Sequence, residues 1–254
     1  MKNKTLDVRV YPLENPLGNT KAFASVALNV DGQDVAAIRG IRVVDGQNGM
    51  FVSMPQSKKE KEGEEPKFFN IVSIKNDALR KEVNNAVLAE YAKAQNPEYK
   101  EHLAERDEAR KAQTQAVPQT GNNISVVVFA TAHENPESNT KAFANILLKS
   151  DDTELLAINS VRVVDSQKGL FVTMPQSKTE KDGVAEFHDI AFPLSKGLHD
   201  KVSNAVLAEY TRSISSEKKQ GIEELLADGK ERAAQLAAAE PRTAAAKKAP
   251  GLGE

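Results

Sequence analysis

One passage of the sequence occurs twice, and this duplication limits what the chain can fold into. Residues 41–58, IRVVDGQNGMFVSMPQSK, return with few changes at 161–178 as VRVVDSQKGLFVTMPQSK. The distance along the chain between the two copies is far longer than the repeats of solenoid proteins, which run from about 20 to 50 residues. We therefore predict two homologous domains. The expected segments are 1–95 for the first domain, 96–121 for a helical charged connector, 122–213 for the second domain and 214–254 for a tail.

Each copy begins with strand-like alternation and ends with a helical pattern. Apolar side chains occupy every second position of residues 20–30, TKAFASVALNV, which predicts a strand with one buried face. The segments IRGIRVV, GMFVSM and PKFFNIVSI are further strand candidates. After Asn76, Leu79, Val83 and Val87 recur at helical spacing. The predicted fold class is α+β, with a small antiparallel β-sheet and a C-terminal amphipathic helix in each domain.

The two copies are expected to pair with each other. One helix covers only one face of a small sheet, and an uncovered apolar face wastes much of the core that a domain of this size can build. Pairing through strand edges or faces would cover the other face, and joining the copies in one chain raises their effective concentration. We therefore predict an intramolecular pseudo-dimer that buries the second face. The apolar residues expected there are Phe23, Phe51, Phe143, Leu147 and Phe171.

The connector and the tail carry charged, helix-favouring sequence. Asn96 and Pro97 match a helix start, and pairs such as Asp107 with Lys111 would support a solvated helical spacer. The tail is expected to be helical at first and disordered in its Ala- and Lys-rich end. Four of its apolar residues form a stripe that would dock on the domains or on a partner: Ile222, Leu225, Leu226 and Leu236.

Several kinds of active site are excluded or disfavoured by the residues present. The absence of cysteine excludes disulfides, thiolate zinc sites and thiol nucleophiles. The four histidines do not recur between the copies and lack metal-ligand spacing, and neither a phosphate-binding glycine loop nor a nucleophile elbow is present. We therefore expect no enzyme, no cofactor and no metal. The loop that follows Asp45 is expected to be a hairpin turn whose carboxylate accepts backbone N–H groups.

The hydropathy pattern predicts a location in the cytoplasm. The sequence contains no apolar run of about 18 residues, so no membrane partner is expected. The start, MKNKTLDVRVYPL, is basic but lacks the apolar segment of a signal peptide.

The repeated motifs are similar to those of the SpoVG family of septation proteins, named after stage V sporulation protein G. The resemblance lies in the segments IRVVDGQNGMFVSMPQSK and VRVVDSQKGLFVTMPQSK, in FHDIAFPL of the second copy and in NAVLAEY of both. It implies a small antiparallel sheet with a C-terminal helix, normally assembled as a homodimer. It also implies a bacterial regulator that binds DNA, and in some cases RNA, and affects septum formation, sporulation and gene expression.

Three departures from the family pattern bear on binding. In the first copy Asn70 stands where the family has an Asp, and Ile74 stands where it has a Pro. In the second copy Ser166 replaces the loop glycine. Both copies read MPQSK, one residue longer than the family's MPSK. Because this loop would present a basic cluster, the affinity or the target of binding is expected to differ.

Nucleic acid is the expected partner, held by cations that release counterions from phosphates. The first copy has a small excess of Lys and Arg and the second an excess of Asp and Glu, so a polyanion should meet the first copy first. The second copy would then serve mainly as a dimerisation surrogate. The candidate nucleic-acid-binding residues are Lys58, Lys59, Lys61, Arg80, Lys81, Lys178 and Lys181.

Three alternatives remain open on the sequence. Glu60 and Glu62 interleave with the lysines, so the basic segment could be an ordinary solvated loop. Phe23 and Phe51 could stack on the bases of single-stranded RNA, or could pack in a core or interface. The whole chain could be a non-catalytic structural or protein-interaction adaptor, and the paired copies could assemble into further homo-oligomers.

Overall fold

The computed structural model describes residues 3–60, 63–114, 123–133, 135, 137–181 and 183–216. Its elements confirm the predicted α+β class with antiparallel sheets. The first copy forms β1 Lys4–Leu17, β2 Thr20–Val30, β3 Gln33–Gly46, β4 Gly49–Ser53, β5 Gln56–Lys59, β6 Lys67–Asn70, β7 Val72–Ile74 and α1 Asp77–Lys93, and is followed by α2 Tyr99–Thr114. The second copy forms β8 Ile124–Ala132, β9 Thr140–Ser150, β10 Thr153–Ser166, β11 Gly169–Thr173, β12 Gln176–Lys181, β13 Val184–Asp189, β14 Ala191–Pro193 and α3 at 196–216.

The two copies exchange a strand. The first sheet has the order β1-β2-β3-β14 with β4 also paired to β3, and the second has the order β11-β10-β9-β8 with β7 also paired to β10. Thus β7 of the first copy completes the second sheet, where Val72 lies opposite Ile158. In return β14 of the second copy completes the first sheet, where Ala191 lies opposite Ile38. The predicted pseudo-dimer is confirmed, and strand edges form the junction.

A kink in β3 and in β10 divides one edge of each strand between two partner strands. In β3 the residues before the kink pair with β14, and those after it pair with β4. Gly40, at the kink, has a φ of 72°, which glycine adopts without steric penalty. Ser160 has a φ of 63° at the matching place in β10. Each long strand therefore carries a β-bulge that separates its two pairing regions.

Hydrophobic alternation disappears where the copies meet. Residues 35–38, VAAI, and residues 155–158, LLAI, are buried at all four positions. A strand that faces solvent on one side alternates between buried and exposed residues, so four consecutive buried residues indicate cover on both faces. Buried side chains from both copies form a single hydrophobic cluster. The described residues 3–211 therefore share one compact unit and one core.

A helix covers the inner face of each sheet. Asn76 caps α1 by accepting the N–H of Leu79 at 2.9 Å, as an N-cap Asn does. The apolar stripe of α1, which includes Val83 and Val87, is buried against β1 to β4. On the second copy, Lys201 of α3 donates to the carbonyl of Ile124 in β8 at 2.6 Å. No helix in the described part of the chain is long and apolar enough to cross a membrane.

The opposite side of each sheet, called here the outer face, stays largely exposed away from the junction of the two copies. Phe51 is 49% exposed, Phe143 is 46% exposed and Phe171 is 43% exposed, while Phe23 and Leu147 are half-buried. The expectation that pairing would bury these residues is therefore wrong. The physical reason is that the copies join through exchanged strands, and the four phenylalanines lie on parts of the outer faces away from that junction.

The connector helix α2 is docked on the first copy by a polar network. The Arg106 guanidinium donates to Glu90 Oε1 at 2.7 Å and to Asp7 Oδ1 at 2.6 Å. The Tyr99 hydroxyl donates to Glu90 Oε1 at 3.1 Å and accepts the N–H of Val10 at 3.1 Å. Tyr99 is only 6% exposed. The described part of the connector contains a helix that docks on the first copy through these side chains, while most of its other described side chains are exposed.

Two predicted features, one in the connector and one in the tail, lie outside the described residues. The side chains of Asp107 and Lys111 are not described, so their ion pair stays a prediction. The tail from residue 217 onward, with its apolar stripe at Ile222, Leu225, Leu226 and Leu236, lies wholly outside.

The network around Tyr99 should make stability depend on pH at both ends of the scale. Burial favours a raised pKa for Glu90, but hydrogen bonds from Lys93, Tyr99 and Arg106 outweigh it and lower that pKa below its usual 4.5. The contribution of Glu90 is therefore complete above pH 4.5 and is lost as the pH falls through the lowered value. Burial raises the pKa of Tyr99 from 10.0 to about 12, so its contribution is complete below pH 10.0 and is lost as the pH rises through about 12.

Urea unfolding midpoints measured against pH check this prediction. In a plot of the unfolding midpoint against pH, replacing Glu90→Gln should reduce the slope of the acid limb, below pH 4.5. Replacing Tyr99→Phe should reduce the slope of the alkaline limb, above pH 10.0. Limbs of unchanged slope in both variants would contradict the assignment of the pH dependence to this network.

Candidate nucleic-acid interface

Two antiparallel ribbons carry the predicted lysines. The first arm consists of β5 and β6, and the second arm consists of β12 and β13; each is a separate two-stranded sheet. In the first arm Lys58 lies opposite Phe68. In the second arm Lys178 lies opposite Phe187. Because opposed residues of an antiparallel pair point to the same face, each arm places a cation beside an aromatic ring.

The aromatic rings of the arms are exposed. Phe68 is 59% exposed and Phe187 is 61% exposed, and their opposed lysines are exposed as well. Large apolar side chains are mostly buried in folded proteins, so each arm presents an unusually exposed ring beside an exposed cation. Sequence reasoning missed these residues, although the pattern Lys67-Phe68-Phe69 after a lysine-rich segment could have indicated them.

Carboxylates of the same arm partly neutralise the first arm's cations. Lys58 forms an ion pair with Glu60, and Lys67 pairs with Glu64 at 3.0 Å. Lys59 has no ion-pair partner among the residues that the structure describes. Such exposed pairs contribute at most about 1 kcal/mol, so a phosphate can displace the carboxylate.

The remaining candidate residues lie apart from this pair or outside the description. Arg80 and Lys81 are exposed on α1, and Arg80 Nη2 lies 2.6 Å from Asp77 Oδ1. These two cations lie on α1, whereas Lys58 and Lys59 lie on β5. Lys61 lies outside the described residues, as does the side chain of Lys181. The structure thus places the described arm lysines on matching ribbons and the helical cations on a separate element.

The extra residue of MPQSK has a structural role at the base of each arm. In the first arm Gln56 Nε2 donates to Asn70 Oδ1 at 2.8 Å. In the second arm Gln176 Nε2 donates to Asp189 Oδ1 at the same distance. Asn70 stands where the family has an Asp. This replacement keeps the hydrogen bond across the arm and removes one negative charge from the arm that carries Lys58 and Lys59.

The single strand predicted for PKFFNIVSI is broken into β6 and β7 at Ile71. The N–H of Ile71 donates to the carbonyl of Pro55 at 2.9 Å, and that of Ile190 donates to Pro175 at 2.7 Å. These bonds close the base of each arm, immediately before the chain enters the other copy's sheet. The arms are therefore anchored at the junction of the two copies.

The Asp45 loop is a tight hairpin. Gly46 lies opposite Gly49, and the Asp45 carboxylate lies 3.4 Å from Lys21 Nζ. In the second copy the Ser166 hydroxyl donates to the carbonyl of Gly169 at 3.0 Å, so the serine is accommodated within the turn. Among the described residues no cluster of three or more His, Cys, Asp or Glu side chains could hold a metal ion.

Comparisons with known proteins agree with this arrangement of two copies. The SpoVG family matches the chain twice, over residues 3–93 and 123–212, which together make up well over half of its length. A relative from Oceanobacillus iheyensis, named "Putative septation protein SpoVG", is 40% identical over 79 residues, which cover 31% of this chain and 75% of the relative. Proteins of the same name from Geobacillus thermodenitrificans and Bacillus cereus are 41% identical over 78 residues, 31% of this chain and 74% and 73% of those relatives. The chain therefore belongs to the SpoVG family and contains two copies of the family's domain.

Proposed function

We propose that the chain is a non-catalytic regulatory protein that binds nucleic acid through its two arms. The observation that carries the proposal is the matched pair of ribbons, each with an exposed lysine opposite an exposed phenylalanine. Cations beside aromatic rings suit nucleic acid, because the cations contact phosphates and the rings contact bases. The first arm, with Lys59 unpaired among the described residues and Asn70 in place of an acid, is the stronger binder.

The process regulated is proposed from the relatives' names. The matching proteins are named as septation proteins, and the family is named after a sporulation protein. We propose a role in gene expression linked to septum formation or sporulation in a bacterium, carried out in the cytoplasm. The second copy, with its excess of acidic residues, contributes mainly the exchanged strand and a weaker arm.

Salt-dependent binding tests the role of the lysines. Replacing Lys58→Gln and Lys59→Gln should weaken binding to a labelled nucleic acid and reduce the slope of log affinity against log salt by up to about 1.4–1.8, since each lost phosphate contact removes about 0.7–0.9. The matched control is Lys100→Gln with Lys196→Gln, two exposed lysines with the same total change of charge. Fluorescence anisotropy at several salt concentrations measures both quantities.

Two results would contradict the proposed arm. One is an unchanged slope in the arm variant, and the other is an equal reduction in the control. Replacing Arg80→Gln and Lys81→Gln in a third protein separates the helical cations from the arm. If affinity and salt slope fall only in that variant, the binding site lies on α1 instead of on the arm.

A protein-interaction adaptor is the second candidate function. It is favoured by the exposed apolar residues Phe69 and Val184. These side chains would pack well against an apolar protein surface. An adaptor would show no affinity for nucleic acid of any kind at low salt and would retain a stable protein partner. Affinity for nucleic acid that is lost with the arm lysines would rule against it.

A further inference from the structure

The outer face of each sheet presents an arginine between two phenylalanines. We propose that these two trios, Phe23–Arg42–Phe51 and Phe143–Arg162–Phe171, are stacking surfaces for unpaired nucleobases. The inference rests on the proposed function and specifies its ligand: the chain binds single-stranded nucleic acid, with unpaired bases against the trios in addition to the rings of the arms.

The strand registers place each trio on one surface. Phe23 lies directly opposite Arg42, and Phe143 directly opposite Arg162. Phe51 lies opposite Val44, two residues beyond Arg42, which makes it a diagonal neighbour of that arginine. Side chains related in this way stand about 5–8 Å apart, within reach of aromatic and guanidinium groups. Each trio therefore lies on one face of its sheet and extends across three strands.

The second copy repeats the trio although its neighbours change. Phe171 lies opposite Val164, so it has the same diagonal relation to Arg162. On β1 the outer face carries Tyr11 opposite Phe23, whereas β8 carries Thr131 opposite Phe143. The arrangement of two rings around one arginine is thus built twice in the fold.

The rings are positioned with free surface. Three of the four rings are nearly half exposed, and Phe23 is half-buried. The Phe51 ring lies against the hairpin, where a Cβ on Gly46 would come within 2.9 Å of its Cε1 atom. Phe143 is flanked by His133, with ring centroids 5.6 Å apart. Rings held from one side and open on the other are what stacking on a base requires.

The charges next to the trios favour an anionic ligand over an apolar protein surface. Lys21 is paired with Asp45 at 3.4 Å. Among the described residues no carboxylate pairs with Arg42 or Arg162, and Arg42 donates only to the Ser53 hydroxyl at 3.2 Å. An apolar partner would bury both guanidinium groups without a counter-charge, which is strongly unfavourable. A nucleic acid supplies phosphates for the guanidinium groups and flat rings for the phenylalanines.

The first experiment compares strandedness. The probes are one mixed-sequence 16-nucleotide oligomer as RNA and as DNA, each single-stranded and annealed to its complement. Replacing Phe51→Leu and Phe171→Leu in the full chain removes two rings and keeps apolar side chains. We expect single-strand affinity to fall by about fivefold or more, with duplex affinity and salt slope unchanged. The control, Leu170→Ala, shortens a similarly exposed side chain that points to the other face and should change neither.

The second experiment detects stacking itself. The chain contains no Trp, so Phe51→Trp introduces a single indole reporter on the trio. A base stacked on this indole should quench its emission on binding the single strand, and the duplex should leave the emission unchanged. Lys58→Gln with Lys59→Gln in the same reporter protein should weaken binding but leave quenching at saturation intact.

Four results would overturn the inference. Single-strand binding without quenching, or single-strand affinity unchanged by the two Leu substitutions, places the bases elsewhere and leaves the proposed function standing. Loss of self-association in the Leu variant, measured by sedimentation with no change in nucleic-acid affinity, assigns the face to a second copy of the chain. No binding to any of the four probes would remove the proposed function together with this inference.

Discussion

Replacing Ser73→Pro should destabilise the chain by about 2–4 kcal/mol, because it breaks the strand that the first copy gives to the second. Ser73 lies opposite Ala157 in the middle of β7. The flanking bonds run from the N–H of Asn159 to Ile71 and from the N–H of Lys75 to Leu155. Hydrogen-bonded pairs alternate along an antiparallel ladder, so the Ser73 N–H must donate to Ala157. Proline removes this donor and leaves a buried carbonyl without a partner.

The neighbouring position provides a matched control. The Ile74 N–H points away from β10, and at the corresponding place in the second copy the protein carries Pro193. The proline effect is the difference in free energy of unfolding between the Pro and Ala variants at one position, measured in urea. It should be large at Ser73 and near zero at Ile74. Equal differences at the two positions would show that β7 contributes no ladder bond to the second sheet.

Replacing Tyr99→Phe should destabilise the chain by about 1–3 kcal/mol, which is large for the loss of one oxygen atom. The hydroxyl accepts the buried N–H of Val10 and donates to Glu90, so its removal leaves a backbone donor unpaired and weakens the support of a buried carboxylate. The ring itself is retained, and apolar packing changes little. The docking of α2 on the first sheet therefore depends on a polar atom as well as on burial.

Tyr91→Phe is the control for this prediction. Tyr91 also packs against the core, but its hydroxyl forms no hydrogen bond within the described residues. We expect a change in the free energy of unfolding within about 0.5 kcal/mol. If the two variants lose equal stability, the hydroxyl of Tyr99 has no special role and burial of its ring accounts for the docking.

Local patterns in the sequence were sufficient to predict elements such as β2 and α1. The alternation of residues 20–30 and the helical spacing of Leu79, Val83 and Val87 match the burial in the structure. Both signals arise within one element, because each depends only on which side of that element is covered. The pairing of the copies was predicted from the uncovered face that one helix leaves on each sheet.

Features that depend on distant partners were not predictable in the same way. The exchanged strand β7 has three residues, too few for a period to be recognised, and its partner lies in the other copy. The docking of α2 depends on Glu90, which reads as a polar surface residue until Arg106 and Tyr99 are brought to it. The best sequence signal for the junction was the unbroken apolar run at 35–38, where alternation should have continued.

The exposed positions of the candidate binding residues were predictable only in part. Lysines that follow the MPQS segments do lie on exposed arms, but the opposing rings of Phe68 and Phe187 emerged only from the ribbon register. The sequence also left open whether Phe51 packs in a core or faces solvent. That choice depended on how the copies join, which no single segment encodes.

Because both copies lie in one chain, the two strand crossings can differ in sequence. Where β14 enters the first sheet, the Arg39 guanidinium lies over the Phe192 ring at 4.8 Å. Where β7 enters the second, Asn159 donates to the carbonyl of Asn70 at 2.8 Å, and Ser73 stands at the place of Phe192. Two identical subunits must show every mutation at both crossings. A gene that encodes both copies can place a large pair of side chains at one crossing and a small pair at the other. Each copy then becomes specific for the other copy.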